Sequence, residues 1–212
     1  MATKIGILDY GAGNLMNMVR AVEYLDYSPK LVKLPAQLDE VDKLIIPGVG
    51  AFKSAMDSIS DCKLIDPVKN FAKVGKPVLG ICLGMQLLFD RSYEFGETDG
   101  LGLLRGEVKR ISDFLVGNRA KVKIPHVGWG ELSFKSRHVY FTDNIPNEAA
   151  FYFVHSYMCL PLQTHTLIAT CEYGNIEIPS IVGNKNIYGC QFHPEKSGTV
   201  GLNMLKEFLG GI

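Results

Sequence analysis

The sequence predicts a three-layer α/β/α protein with a central, mostly parallel sheet and a mixed or antiparallel C-terminal extension. Three observations carry this expectation. Up to Phe89, apolar runs of strand length alternate with stretches of helical periodicity, the pattern of a parallel sheet covered on both faces. Beyond it, shorter alternating segments follow one another, separated by turn residues. The 212 residues are 47% hydrophobic and no linker divides them, so a single domain over residues 1–212 with a sizeable core is expected.

Ile5-Gly6-Ile7-Leu8 reads as a buried first strand, and Asp9-Tyr10-Gly11-Ala12-Gly13-Asn14 as the loop that ends it. Leu15, Met18, Val19, Val22 and Leu25 mark one face of the helix that follows. The loop lacks the third glycine of a dinucleotide fingerprint, and no acidic residue marks the end of the next strand. It does lie at the carboxyl edge of the sheet, where open α/β proteins place their sites. Residues 30–34 and 44–46 read as the second and third strands, with Pro47-Gly48-Val49-Gly50 directly after. Two glycines around one residue free the backbone to present N–H groups to an anion, although a plain βα turn would look the same. Residues 51–59 and 66–74 read as helices, 90–106 as a polar, glycine-rich loop. Segments 108–111, 122–124, 131–134, 151–154, 167–169 and 187–191 read as short strands. Residues 200–209 form an amphipathic helix with Leu202, Leu205, Phe208 and Leu209 on its apolar face.

Composition narrows the function. Lys+Arg and Asp+Glu both number 22, so no basic stripe argues for nucleic acid, and zero net charge leaves a partner subunit allowed. Cys62, Cys82, Cys159, Cys171 and Cys190 are odd in number and widely spread, which fits neither a disulfide framework nor a zinc site. The opening Met-Ala-Thr-Lys and the short apolar run after it read as neither signal peptide nor membrane span, so the reducing cytoplasm is the expected compartment.

One stretch organises the chemistry: Val78-Leu79-Gly80-Ile81-Cys82-Leu83-Gly84-Met85-Gln86-Leu87-Leu88-Phe89. A strand-like run passes straight into helical spacing, and Cys82 sits at the junction with Gly80 and Gly84 on either side. Such a turn is sharp, and the glycines remove Cβ atoms that would clash in it. This is the layout of a nucleophile elbow, with sulfur in place of a serine hydroxyl at the positive end of a helix. A small core cysteine is the competing reading. Near the C-terminus stands Gly189-Cys190-Gln191-Phe192-His193-Pro194-Glu195-Lys196-Ser197. In an extended segment His193 and Glu195 lie side by side, so the carboxylate can orient the imidazole as in a triad. A surface ion pair would read the same way. Among the other histidines, His126, His138, His155 and His165, none has an acid two residues on.

These two motifs resemble those of the class I, triad-type glutamine amidotransferases: Gly80 to Gln86 their elbow, Gln191 to Glu195 their closing motif. More narrowly, the chain resembles from end to end the glutaminase subunits of imidazole glycerol phosphate synthases. The stretches that carry this are Asp9 to Asn14, Pro47 to Gly50, Pro125-His126-Val127-Gly128-Trp129, Phe151-Tyr152-Phe153-Val154-His155-Ser156-Tyr157 and His193 to Ser197. The resemblance implies the class I glutamine amidotransferase fold and catalysis by Cys82, His193 and Glu195, without cofactor or metal. It implies an oxyanion site at Val49, Gly50 and Leu83, completed by rotation of a peptide in the Pro47 to Gly50 loop. It implies glutamine binding by Gly50, Gln86, Glu94, Ser156 and Tyr157. The ammonia would pass to a (β/α)8-barrel cyclase in a heterodimer of histidine biosynthesis, with Asn14, Asn17, Arg20, Trp129, Tyr152 and Lys196 at the interface. For Trp129 ordinary core packing is the competing reading. Ser156 stands where many members have threonine, and segments 113–119 and 175–179 differ in detail. Other readings remain open: ammonia supply for amidination of a bacterial surface sugar, a binding module that has lost catalysis, or a thiol esterase or peptidase on the same sheet.

Overall fold

Period-two burial in the parallel strands builds the layers of this protein. Ile5 and Ile7 of β1 (Ile5–Leu8) face one core while Leu8 faces another. The helix α1 (Leu15–Tyr24) buries Met18, Val19, Ala21 and Val22, and β2 (Lys30–Val32) follows. In β3 (Lys43–Ile46), Leu44 and Ile46 take the second face and Ile45 the first. Next come α2 (Phe52–Asp61) and α3 (Ile65–Lys73). Asp66 in the first turn of α3 and Lys73 in the last complement the helix dipole. Then come β4 (Val78–Ile81), the short α4 (Leu83–Leu87), β5 (Phe89–Ser92), β6 (Thr98–Asp99) and β7 (Leu104–Arg110). After these come β8 (His126–Phe134), β9 (Ala150–His155), β10 (Tyr157–Pro161), β11 (Leu167–Tyr173), β12 (Ile176–Asn184), β13 (Ile187–Cys190) and α5 (Gly198–Gly210). The structure, a computed structural model, describes residues 3–11, 13–115, 122–137, 139–174 and 176–211. Ala12, His138 and Asn175 of the motifs above, and residues 116–119 of the variable segment, lie outside them.

The large sheet has nine strands in the order β2-β1-β3-β4-β13-β12-β11-β8-β9. From β2 to β13 all neighbours are parallel; from β13 onward they are antiparallel. Helices α2 and α3 pack on one face and α1 and α5 on the other. A second sheet, β10-β7-β5-β6, lies on the α2 side. This is the expected three-layer architecture with its antiparallel extension.

Some segments differ from the sequence expectation. Residues 90–106 are not all loop: they hold β6, most of β5 and the start of β7, strands too short and glycine-interrupted to show alternation. Residues 122–124 join no ladder. β8 begins already at His126. β10 and β12 escaped the pattern altogether. β12 contains Pro179, which argues against an inner strand. The ladder admits it at a register shift, where Thr170 pairs with Pro179 and Ala169 with Ile181. Trp129 is 60% exposed, so it is no core residue. All five cysteines are free thiols. Among the described residues, no helix is long and apolar enough to cross a membrane.

Candidate active site

The parallel register of β4 and β13 brings the two motifs together. Gly80 pairs with Gly189 and Ile81 with Cys190, so Cys82 and Gln191 leave the sheet side by side. The Cys82 N–H donates to the Cys190 carbonyl at 2.8 Å. Cys82 itself has φ 55° and ψ −111°, a strained conformation for a residue with a side chain, costing on the order of 1–3 kcal/mol. Neighbours make the bend permissible. A Cβ on Gly84 would collide with the Ile46 carbonyl oxygen, and one on Gly80 with the Gly84 backbone. Two residues past Gln191, the His193 N–H donates to the Tyr152 carbonyl at 2.9 Å, which ties this segment to β9.

His193 and Glu195 are a buried pair, with side chains 0% and 1% exposed. Nδ1–H of the imidazole donates to Glu195 Oε1 at 2.7 Å. Nε2 is buried and makes no hydrogen bond among the described residues. Burial alone would lower the imidazole pKa, but the Cys82 sulfur and the Glu195 carboxylate outweigh it and raise it to about 9. Burial pushes the Glu195 carboxyl up, and the His193 contact and the Asn14 amide more than offset this, so it lies below its ordinary value. Asn14 Nδ2–H donates to Glu195 Oε1 at 2.6 Å, and Asn17 Nδ2–H donates to Asn14 Oδ1 at 2.7 Å. Asn14, expected at an interface, therefore also supports the acid. It reaches Glu195 from a left-handed backbone conformation, φ 68°, at the start of α1.

A cavity of about 300 Å³ opens beside the sulfur. Gly50, Gln86, Glu94, Ser156 and Tyr157 all line it, with Val49 and Leu83. Its size and mixed lining suit a small polar ligand. Glu94 Oε2 accepts the Phe52 N–H at 2.6 Å and so also caps α2. Tyr10 donates its hydroxyl to the Pro47 carbonyl at 2.8 Å, and a Cβ on Gly48 would strike that hydroxyl. The Leu83 N–H is engaged: it donates to the Gly48 carbonyl at 3.3 Å. Gly50 has φ 118° and open space around it.

A thiol, an imidazole oriented by a carboxylate and a cleft for a small polar molecule can together perform acyl transfer through a thioester. The glutamine amidotransferase class-I family model matches residues 6–211. The chain belongs to that family. Among curated relatives of this amidotransferase, imidazole glycerol phosphate synthase subunit HisH 1 of Legionella pneumophila (strain Lens) is 44% identical over 212 residues, covering 98% of this chain and 99% of that one. Imidazole glycerol phosphate synthase subunit HisH of Bacillus subtilis (strain 168) is 42% identical over 205 residues, covering 96% and 94%. Among solved structures, PurLQS from Thermotoga maritima superposes with a TM-score of 0.75 at 20% identity, covering 99% of this chain and 98% of that one. A glutamine amidotransferase crystal structure superposes with a TM-score of 0.72 at 20% identity, covering 98% and 99%. At that identity the two structures speak for the fold alone.

The remaining site expectations fall beside the triad. Asn17, Arg20 and Lys196 surround a shallow depression next to Glu195. Trp129 meets Tyr152 edge-on at 6.0 Å across the β8–β9 pair. His155 is buried in the wall of the cleft with His126 behind it, and His138 lies outside the described residues. Sequence reasoning missed Gln191 as a neighbour of the sulfur and Tyr10 as the partner of the Pro47 carbonyl. The extended segment expected through Glu195 ends at Cys190: Pro194–Lys196 form a 3-10 turn, which the proline favours, and this turn rather than strand alternation sets Glu195 against His193.

Proposed function

We propose that this chain hydrolyses L-glutamine to glutamate at Cys82 and delivers the ammonia to a (β/α)8-barrel cyclase, as the glutaminase half of a cytoplasmic heterodimer in histidine biosynthesis. The observation that carries the reading is the convergence of Cys82, His193 and Glu195 beside a cavity lined by the five residues expected to bind glutamine. The Cys82 thiol passes its proton to His193, the sulfur attacks the side-chain amide carbon, and the carbonyl electrons move onto oxygen. As the C–N bond breaks, His193 gives its proton to the departing nitrogen, and ammonia leaves a thioester behind. His193 then takes a proton from water, whose oxygen displaces the sulfur and frees glutamate. Glu195 holds the imidazole in the tautomer this needs.

An oxyanion hole needs free N–H donors. In the arrangement described above the Leu83 N–H is held by the Gly48 carbonyl. Turning the Gly48–Val49 peptide would withdraw that carbonyl and bring the Val49 N–H inward, freeing two donors in one motion. The partner's role is to favour the turned state. Exposed Trp129, with Met16 and Tyr24 on α1, provides apolar area for docking around the polar Asn17, Arg20 and Lys196.

The test is ammonia release from glutamine by the chain alone and with a ligand-loaded cyclase. The expected result is a slow reaction alone, stimulation of about 100-fold or more, and complete loss in Cys82→Ala. Activity retained by Cys82→Ala would remove the nucleophile; full activity without a partner would remove the gating. Stimulation by a sugar-modifying partner instead would change the acceptor.

A further inference from the structure

Gln191 is fully buried between the sulfur and the cleft wall. Its Nε2 stands 3.7 Å from Cys82 Sγ, within hydrogen-bond range for sulfur. Its Oε1 accepts from Gln86 Nε2 at 3.1 Å, and the same Gln86 nitrogen donates to the Tyr157 carbonyl at 3.2 Å. That carbonyl also receives His155 Nδ1–H at 2.8 Å, while His155 Nε2 accepts His126 Nδ1–H at 3.1 Å.

The orientation of the Gln191 amide follows from this chain. A carbonyl oxygen can only accept, so Gln86 must turn its nitrogen toward Tyr157. That nitrogen then faces Gln191, which must answer with its oxygen. The N–H end of Gln191 is left for the sulfur. Flipping either amide would set two acceptors or two donors face to face in a buried site, where unmatched polar groups are costly. Burial holds His155 and His126 neutral, with pKa values of about 3 and about 4, so the far end of the chain keeps its polarity through the neutral range.

We propose that Gln191 is a positioning residue for the nucleophile: its amide N–H donates to Cys82 Sγ, fixes the sulfur on its side of the cleft, and strengthens as the sulfur becomes anionic. Gln86, which lines the cleft, sets the orientation of that donor. A hydrogen bond to a charged acceptor is roughly twice as strong as to a neutral one, so the contact favours the attacking form. The inference rests on the reading of Cys82 as nucleophile.

Two variants separate this role from core packing. Gln191→Met keeps the volume and removes the donor. Gln191→Glu keeps an oxygen for Gln86 and sets an acceptor against the sulfur. The first measurement is the rate of Cys82 alkylation by iodoacetamide against pH, resolved from Cys62 by peptide mass spectrometry. Tyr10, Glu94, Cys159, Cys190, His193 and Glu195 are ionisable groups around this sulfur, and all are retained in both variants. The second measurement is glutaminase kcat and KM with the partner present. The expected result is about tenfold slower alkylation at pH 7 in Gln191→Met, with the profile moved about one pH unit upward. kcat falls about tenfold with KM within about twofold, and Gln191→Glu falls at least as far. An unchanged alkylation profile in either folded variant, a loss confined to KM, or failure of both variants to fold would assign Gln191 to packing and overturn the proposal. Wild-type protein without glutaminase activity would instead refute the function, since alkylation is read independently.

Discussion

The two walls of the cleft are built on opposite principles. On the Cys82 side every position is overdetermined. Gly80 and Gly84 touch backbone where any side chain would collide, and the elbow is tied across the sheet to Cys190. On the facing side, Gly50 has empty space where a side chain would be, while Gly48, packed against the Tyr10 hydroxyl, lends its carbonyl to the Leu83 N–H, a donor that the proposed oxyanion hole needs. The wall that holds the strained Cys82 is rigid. The wall proposed to change state is glycine on either side of a partly exposed valine. The difference teaches where each proposed function would reside: the chemistry in packing, and its control in a peptide that must give up the Gly48 carbonyl contact to turn.

Four measurements can break or sharpen this contrast. His193→Ala removes the acid–base group from the rigid wall, and stimulated glutaminase activity is expected to fall by about 10²–10⁴-fold with the fold retained. A loss of twofold or less would take His193 out of the reaction. Gly84→Ala should lower stability by about 3 kcal/mol or more, read from the urea midpoint, because its Cβ meets the Ile46 backbone rather than a movable side chain. Gly50→Ala meets nothing, and its cost is limited to about 1–2 kcal/mol of backbone strain at φ 118°. An equal loss in the two glycine variants would erase the distinction between the walls.

The fourth measurement is the pH dependence of stability. His193 is raised from 6.5 to about 9 in the folded protein, so its contribution is complete below about pH 6.5 and fades as pH rises through about 9. His126 and His155 are depressed from 6.5 to about 4 and about 3, with the opposite sign. Below about pH 6.5 the unfolded chain binds protons there that the folded chain does not, and stability falls. Glu195, depressed by its partners, adds to the acid loss as pH drops through its folded value. Urea midpoints of the wild type should therefore decline on both sides of about pH 6.5, and His193→Gln should lessen the alkaline slope, leaving the part that comes from the buried thiols Cys159, Cys171 and Cys190, whose pKa values burial raises.

Much of the parallel half was legible because its signals are local. Ile5-Gly6-Ile7-Leu8 and Val78 to Ile81 are unbroken apolar runs, and buried parallel strands require such runs. The antiparallel half was read less well. In β12, Pro179 argues against a strand, and only the shifted ladder with β11 accommodates it. β5 and β6 are too short for a period to show. Cys82, His193 and Glu195 were visible from motif chemistry. Asn14 was read for a partner surface, and its amide also reaches Glu195, a contact between residues 181 positions apart that no spacing rule contains.

The sequence by itself determined the elbow, the imidazole–carboxylate pair and the alternation of strands and helices. Each depends on residues within a few positions of one another, where sterics and periodicity act directly. Only the tertiary structure decided that Ile81 lies opposite Cys190, that the Gly48 carbonyl occupies the Leu83 N–H, and that Gln191 turns its amide N–H to the sulfur. Those are relations between strands distant in the chain, set by ladder register and by the demand that buried polar groups find partners.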